Sequence, residues 1–174
     1  AAEIAAKKPA GIIFSGGPAS VHVEGAPSID QGVYELGVPI LGICYGAQLL
    51  ARDLGGEVSR TDRGEYGRTE LTVAADDVLF SSAQPRTQSV WMSHFDAVSV
   101  LPSGFVATAS TPDAPMAMIE SPTRKIWGVQ YHPEVGHTEY GHDVLEQFLH
   151  RLVGAERSWT MSSIVDDQVA AIRE

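Results

Sequence analysis

The chain has 174 residues, enough for one compact domain, and its 12 basic and 22 acidic residues give it a net charge of −10. It has no cluster of Lys and Arg, no apolar run near the roughly 20 residues of a membrane span and no signal-peptide core, so it predicts no binding to nucleic acid or membrane. A lone cysteine excludes an internal disulfide and favours a cytoplasmic location.

The first third of the chain alternates short apolar runs with helical patterns. Residues 2–8 are typical of the last part of a helix, and the continuously apolar run 11–14 predicts a buried strand. A helix is then predicted over 27–37, a second buried strand over 38–43 and a helix over 45–54. Strands that alternate with helices pair in parallel through right-handed crossovers, so this part predicts an α/β fold.

The middle of the chain has a different pattern, in which short and often alternating apolar runs are separated by turn residues. This pattern predicts antiparallel strands or a mixed sheet. The predicted strands cover residues 68–73, 96–100, 104–110, 115–120 and 125–131.

A last helix is predicted over residues 139–153, because five apolar side chains recur there at helical spacing and a glycine follows them. The five are Val144, Leu145, Phe148, Leu149 and Leu152, and the capping glycine is Gly154. Residues 155–174 change in character. They predict a linker and the start of a further domain, which leaves residues 1–154 as the main domain.

The only cysteine lies between two glycines, in the sequence Gly42-Ile43-Cys44-Tyr45-Gly46. Its position after a buried strand and before a helix fits the sharp turn that presents a nucleophile, where flanking side chains would collide with nearby backbone. The N-terminus of the helix would also favour the thiolate form. The alternative is a buried structural cysteine, a frequent fate of free thiols.

A cysteine nucleophile needs a base, and the base needs a group that orients it. His132 directly follows a predicted strand, and Glu134 comes after Pro133, which restricts the backbone. The alternative is a loop in which Glu134 is solvated. A zinc site on His132, His137 and His142 is not expected, because a spacing of five does not place them on one helical face and no second cysteine is present.

A glycine-rich turn, SGGP at 15–18, follows the first predicted strand, and such turns expose N–H groups that can bind an oxyanion. Together with GICYGAQ at 42–48 and GVQYHPE at 128–134, it resembles the class I, triad-type glutamine amidotransferases over about residues 10–153. The resemblance implies a flavodoxin-like α/β fold of three layers, an open mixed sheet with helices on both faces. The first strand and helix of the family are missing from this chain.

Within that family the chain resembles in particular the glutaminase domains of the GMP synthases, through SGGPASV, WMSHFDAV, GVQYHPEV and the tail after Trp159. This implies hydrolysis of L-glutamine to glutamate and ammonia, which is used for the ATP-dependent amination of XMP to GMP. The resemblance places ATP and Mg²⁺ in an ATP-pyrophosphatase domain of the same polypeptide, whose ATP-binding motif this sequence lacks. It implies no cofactor or metal in the glutaminase domain, and a homodimeric full-length enzyme.

The resemblance also assigns roles to individual residues. Cys44 would attack the carboxamide of glutamine and form a thioester, His132 would transfer protons, and Glu134 would orient His132. The backbone N–H groups of Gly17 and Tyr45 would hold the oxyanion. The residues implied in glutamine binding are Gly16, Gln48, Gly67 and, in a loop that runs from Ser93 to Asp96, Ser93, His94 and Phe95.

Two alternatives stay open at this point. The triad is shared with the glutaminases that serve anthranilate, CTP or carbamoyl-phosphate synthesis, so it does not by itself identify the acceptor of ammonia. The second alternative is an inactive scaffold that binds glutamine, because Phe95 stands where the family usually has glycine and a bulky side chain there would crowd the pocket.

Overall fold

The computed structural model describes residues 1–18, 20–80, 82–157 and Ile172. In this part of the chain seven strands form one sheet: β1 (Ile12–Phe14), β2 (Ile40–Ile43), β3 (Glu57–Val73), β4 (Thr87–Val100), β5 (Val106–Ser110), β6 (Met118–Ser121) and β7 (Ile126–Val129). The helices are α1 (Ala2–Ala6), α2 (Tyr45–Asp53) and α3 (Gly141–Glu146), which continues as a π-helix over Gln147–Leu152. Short 3₁₀ turns cover Gln31–Val33 and Pro122–Arg124. None of the described helices is long and apolar enough to span a bilayer.

The sheet is mixed, with the strand order β1-β2-β7-β6-β5-β3-β4. The first three strands in that order are parallel, with Phe14 opposite Gly42 and Gly42 opposite Gly128. All other neighbours are antiparallel. Because parallel strands point the same way, the segments that follow Phe14, Ile43 and Val129 meet at one edge of the sheet.

Successive residues of β2 face opposite sides of the sheet, as the pleat of a strand requires. Ile40 belongs to a hydrophobic cluster with Leu50 of α2, whereas Leu41 belongs to a second cluster with Val144 of α3. Leu41 and Leu50 are fully buried, at 0% exposed, which stabilises the fold by about 2 kcal/mol each. The sheet therefore carries helices on both faces, and the predicted three-layer α/β fold is confirmed.

The hairpin of β3 and β4 is longer than the other strands and extends away from them. β3 pairs with β5 only through Thr72 and Val73, and it pairs with β4 on both sides of an irregularity between Arg60 and Glu65. A hydrogen bond between β4 and the segment after β7 shows that the sheet curls. The backbone N–H of His132, beyond β7, donates to the carbonyl oxygen of Trp91 in β4 at 3.0 Å. β4, although last in the strand order, thereby reaches the edge at which the parallel strands end.

The prediction of a helix over 27–37 is wrong, since only the 3₁₀ turn Gln31–Val33 forms there. Asp30 is the N-cap of this turn, with extended backbone, and its carboxylate accepts a hydrogen bond from the backbone N–H of Gly32 at 2.9 Å, so no helix runs through residue 30. Gly32 itself also disfavours helix.

Other predicted elements are confirmed with changed limits. The runs 68–73 and 96–100 are the apolar ends of the long β3 and β4 strands, whose polar parts gave no strand signal. Leu149 is 38% exposed rather than part of the buried stripe, because the π-helical turn alters the spacing that 3.6 residues per turn would give. The linker and further domain over 155–174 lie mostly outside the described residues and stay a prediction.

Candidate active site

The turn that carries Cys44 has the strained backbone expected of a nucleophile. Cys44 adopts φ 50° and ψ −107°, which is unfavourable for a non-glycine residue. A Cβ atom on Gly42 would lie 2.7 Å from the backbone nitrogen of Ala47, and one on Gly46 would lie 2.1 Å from the carbonyl oxygen of Phe14. Close approach of the backbone therefore requires both glycines, as the sequence predicts.

The side chain of Cys44 lies at the N-terminus of α2. Its Sγ is 3.7 Å from the carbonyl oxygen of Ser93 and 3.6 Å from Nε2 of Gln130, which donates to it. Only 4% of Cys44 is exposed, yet the residue lines a cavity. A structural cysteine sealed in the core would not line such a cavity, so the alternative considered from the sequence is not favoured.

The imidazole of His132 contacts both other members of the expected triad. Its Nδ1 is 2.7 Å from Oε1 of Glu134, a carboxylate that is 46% exposed. The interaction with Cys44 is the main reason that the pKa of His132 is raised from 6.5 to about 9; burial opposes this increase and the Glu134 carboxylate adds to it. Sulfur, imidazole and carboxylate thus follow one another as in cysteine–histidine nucleophilic sites.

The glycine-rich turn after β1 lies against this triad. A Cβ atom on Gly16 would be 3.0 Å from Cε1 of His132 and 3.6 Å from Cβ of Cys44, so a larger residue would displace the imidazole. Gly17 and Tyr45 both line the cavity. Because Tyr45 is the first residue of α2, its backbone N–H has no partner within the helix and is free to donate to a ligand.

The cavity has a volume of about 480 Å³, within the usual range for small-molecule sites. Its walls come from the turns after β1 and β2, from α2, from the β3–β4 hairpin and from the segment after β7. The lining residues are Gly17, Pro18, Ser20, Cys44, Tyr45, Gln48, Tyr66, Ser93, His94, Phe95, Asp96 and His132. Among the described residues, no group of three or more His, Cys, Asp and Glu side chains could hold a metal ion.

Gln48 ties α2 to the hairpin wall of the cavity. Its Nε2 donates to the backbone carbonyl of Asp96 at 2.6 Å and to Oε1 of Gln130 at 3.1 Å. The hydroxyl of Ser20 donates to the carboxylate of Asp96. The thiol, the helix and β4 are therefore connected by one set of hydrogen bonds, through Gln130.

A buried hydrogen-bonded pair supports the same wall from behind. Nε2 of His94 lies 2.9 Å from Oε2 of Glu65, and Nδ1 lies 3.0 Å from the backbone carbonyl of Asp96. Burial alone would raise the pKa of Glu65, but hydrogen bonds from His94, from the Thr111 hydroxyl and from the backbone N–H of Asp113 together lower it.

The structure brings most of the sequence-predicted binding residues together, with two exceptions in their setting. Ser93, His94 and Phe95 line the cavity but belong to strand β4, not to a loop. Gly16 and Gly67 do not line the cavity, whereas their neighbours Gly17 and Tyr66 do.

Phe95 keeps a negative φ, since it is not among the described non-glycine residues of positive φ. Its ring lies under the guanidinium of Arg60, 4.3 Å from the ring centroid. The residue lines the cavity wall and leaves the 480 Å³ space open. A bulky side chain at this position is thus accommodated by the hairpin.

Sequence reasoning missed three polar residues of the site, Gln130, Glu65 and Ser20. Gln130 directly follows β7 and donates to Sγ of Cys44, and it lies within the GVQYHPE stretch. Glu65 and Ser20 act through partners 29 and 76 residues away, and no local pattern could have revealed them.

These features coincide with those of a known family. The sequence model of the family of class-I glutamine amidotransferases matches residues 1–152 of this chain. The chain belongs to the class-I glutamine amidotransferases. A GMP synthase (glutamine-hydrolyzing) of Thermobifida fusca is 56% identical over 98% of this chain and 32% of that protein. This amidotransferase chain spans about a third of the length of the curated relatives it matches.

Solved structures share the amidotransferase fold. A candidate GMP synthase subunit from Thermoplasma acidophilum is 34% identical, with a TM-score of 0.67 over 83% of this chain and 71% of that one. A glutamine amidotransferase of Thermotoga maritima, 23% identical, aligns with a TM-score of 0.64 over 83% of this chain and 63% of that one. The second likeness concerns the fold alone.

Proposed function

We propose that this chain hydrolyses L-glutamine to glutamate and ammonia, and that the ammonia aminates XMP to GMP in an ATP-dependent reaction. The contact of the His132 imidazole with both Cys44 and Glu134 carries the first part of the proposal. The similarity of the chain to GMP synthases, at 56% and 54% identity, supports the second part. ATP and Mg²⁺ are assigned to a synthetase part of the same polypeptide, which acts in the cytoplasm as a homodimer.

In the first half-reaction the Cys44 thiolate attacks the side-chain carbonyl carbon of glutamine, and a C–S bond forms. Gly17 and Tyr45 line the cavity, and their backbone N–H groups donate hydrogen bonds to the oxyanion that develops. As the C–N bond breaks, the His132 imidazolium gives its proton to the departing nitrogen. Ammonia leaves, and a glutamyl thioester remains on Cys44.

In the second half-reaction a water molecule replaces ammonia beside the thioester. His132, now neutral, accepts a proton as the water oxygen bonds to the acyl carbon. The C–S bond then breaks, glutamate departs, and Cys44 is a thiolate beside an imidazolium again. Glu134 accepts a hydrogen bond from Nδ1 in both halves, which keeps Nε2 turned to the sulfur and stabilises the imidazolium.

The amino-acid end of glutamine is expected against the hairpin wall. Ser93, His94 and Phe95 present backbone groups there, and the Asp96 carboxylate adds a negative charge suited to an α-ammonium group. Gln48 lines the same space, but its amide nitrogen is engaged by Asp96 and Gln130. Its contribution to binding is therefore to hold the wall in place.

The proposal is tested on the polypeptide that carries both this chain and the synthetase part, with a diazo-ketone analogue of glutamine and with glutamine labelled at its amide nitrogen. We expect the analogue to alkylate Cys44, and ammonia release to fall at least about 1,000-fold in Cys44→Ala. With XMP, ATP and Mg²⁺ present, the label is expected in GMP. Alkylation elsewhere would contradict the role of Cys44. Labelled ammonia without labelled GMP would contradict only the acceptor.

A further inference from the structure

The segment between β7 and α3 runs along the outer edge of β4. The backbone N–H of His132 donates to the carbonyl of Trp91 at 3.0 Å, and that of Glu139 donates to the carbonyl of Ser89 at 2.8 Å. In return, the N–H of Ser89 donates to the Glu139 carboxylate at 2.8 Å. The ring of Trp91 stacks against His137, with 4.7 Å between centroids. The segment that contains the base is thus docked on the hairpin.

Thr138 stands at the centre of this contact. Its hydroxyl accepts a hydrogen bond from the backbone N–H of Trp91 at 3.0 Å and donates one to the carbonyl of His132 at 2.6 Å. The residue is buried, at 8% exposed. The backbone of His132 is therefore fixed on both sides, through its N–H by Trp91 and through its carbonyl by Thr138.

We propose that the Thr138 hydroxyl is a positioning group for His132, an inference that rests on the proposed function. Glu134 sets the rotation of the imidazole, whereas Thr138 fixes the backbone from which the ring extends. The backbone of Gly16 packs beside the ring, since a Cβ atom added there would be 3.0 Å from Cε1. A small backbone shift would therefore misalign Nε2 and the sulfur, and misplacement by about 1 Å can cost about 100-fold in rate.

Three substitutions separate the hydroxyl from the methyl group of Thr138. Thr138→Val keeps the shape and loses the hydroxyl, Thr138→Ser keeps the hydroxyl and loses the methyl, and Thr138→Ala loses both. Thr123→Val is the matched control, because Thr123 is exposed in the turn before β7, at the other end of that strand. Melting curves of all variants show whether they fold.

We expect kcat for glutamine hydrolysis by the full chain to fall about 10- to 100-fold in Thr138→Val and Thr138→Ala, with KM within about twofold. Thr138→Ser and Thr123→Val should stay within about threefold of the wild type. The pH profile of Cys44 alkylation by iodoacetamide should shift in Thr138→Val and not in Thr138→Ser, because the imidazolium beside the sulfur supports the thiolate.

A wild-type kcat in Thr138→Val would overturn the proposal. If, in addition, Thr138→Ser had low activity, the result would show that the methyl group matters through packing and that the hydroxyl does not. Loss of the folded state in both Val and Ala variants would assign the hydroxyl to stability and also overturn it. If the wild type releases no ammonia, the proposed function fails, and the alkylation profile still decides whether Thr138 positions His132.

Discussion

The parallel strands and the β3–β4 hairpin build the two sides of the cavity in different ways. Cys44 and His132 each follow a buried parallel strand within three residues, so their location is set by the direction of those strands. Ser93 and Asp96 come from the middle of β4 and reach the site because the sheet curls and Gln48 holds it. The parallel region is therefore expected to control the rate of the reaction, and the hairpin the affinity for glutamine.

The largest effect is expected from a substitution that disrupts packing in the parallel region. In Gly46→Ala the new Cβ would lie 2.1 Å from the carbonyl oxygen of Phe14, so β1 and α2 must move apart. We expect a loss of about 3 kcal/mol or more in the free energy of unfolding, and loss of ammonia release. Urea denaturation and an activity assay measure both.

The control for this substitution is Gly136→Ala. Nothing lies within 4 Å of a Cβ atom at Gly136, and its φ is not in the left-handed region. The free energy of unfolding of Gly136→Ala should stay within about 0.5 kcal/mol of that of the wild type. Equal stability of Gly46→Ala and Gly136→Ala would contradict the close packing of the nucleophile turn.

A smaller effect is expected from the hairpin. Glu65→Gln removes the charge opposite His94 and should raise KM for glutamine about 10-fold. The change in kcat should be less than about twofold, because the shift is expected at His94 and Asp96 and not at Trp91, which holds the backbone of His132. Glu70→Gln, at an exposed position of the same strand, is the control. A fall in kcat at constant KM would show that the hairpin also governs the chemical step.

The same variant should lose stability in a pH-dependent way. The pKa of Glu65 is lowered in the folded chain, so its charge stabilises the fold above the ordinary value of 4.5 and this contribution is lost as the pH falls through the lowered pKa. The difference in unfolding free energy between wild type and Glu65→Gln is expected to be about 3 kcal/mol near neutral pH. It should shrink in acid.

The smallest effect is expected on the pKa of His132, in the parallel region. Cys44→Ala removes the main cause of the raised pKa of His132, so the value should fall from about 9 toward 6.5, and Glu134→Gln should lower it less. Because the folded-state pKa is raised, the imidazolium stabilises the fold below pH 6.5, and this contribution is lost as the pH rises toward about 9. NMR titration of the ring proton measures each value; an unchanged pKa in Cys44→Ala would contradict the contact with sulfur.

Local signals allowed part of this site to be predicted. Cys44, with a glycine on each side, stands between an apolar run and a helical pattern, and His132 ends another apolar run. Each signal lies within a few residues of the side chain it concerns. The prediction of a helix over 27–37 was wrong at its start because Asp30 acts as an N-cap with extended backbone, which keeps residue 30 and the chain before it outside the turn. Glu65 carried no local signal, since its meaning depends on His94, a partner 29 residues away.

By itself the sequence determined that three apolar strands end in a glycine-rich turn, a thiol and an imidazole, because strand direction and turn sterics act over a few residues. Only the tertiary structure decided that β4 curls back to those ends, that Glu65 and Gln48 brace it, and that Thr138 joins it to the base. Those contacts are hydrogen bonds between groups far apart in the chain, and their partners are selected by burial and geometry that exist only once the sheet has formed.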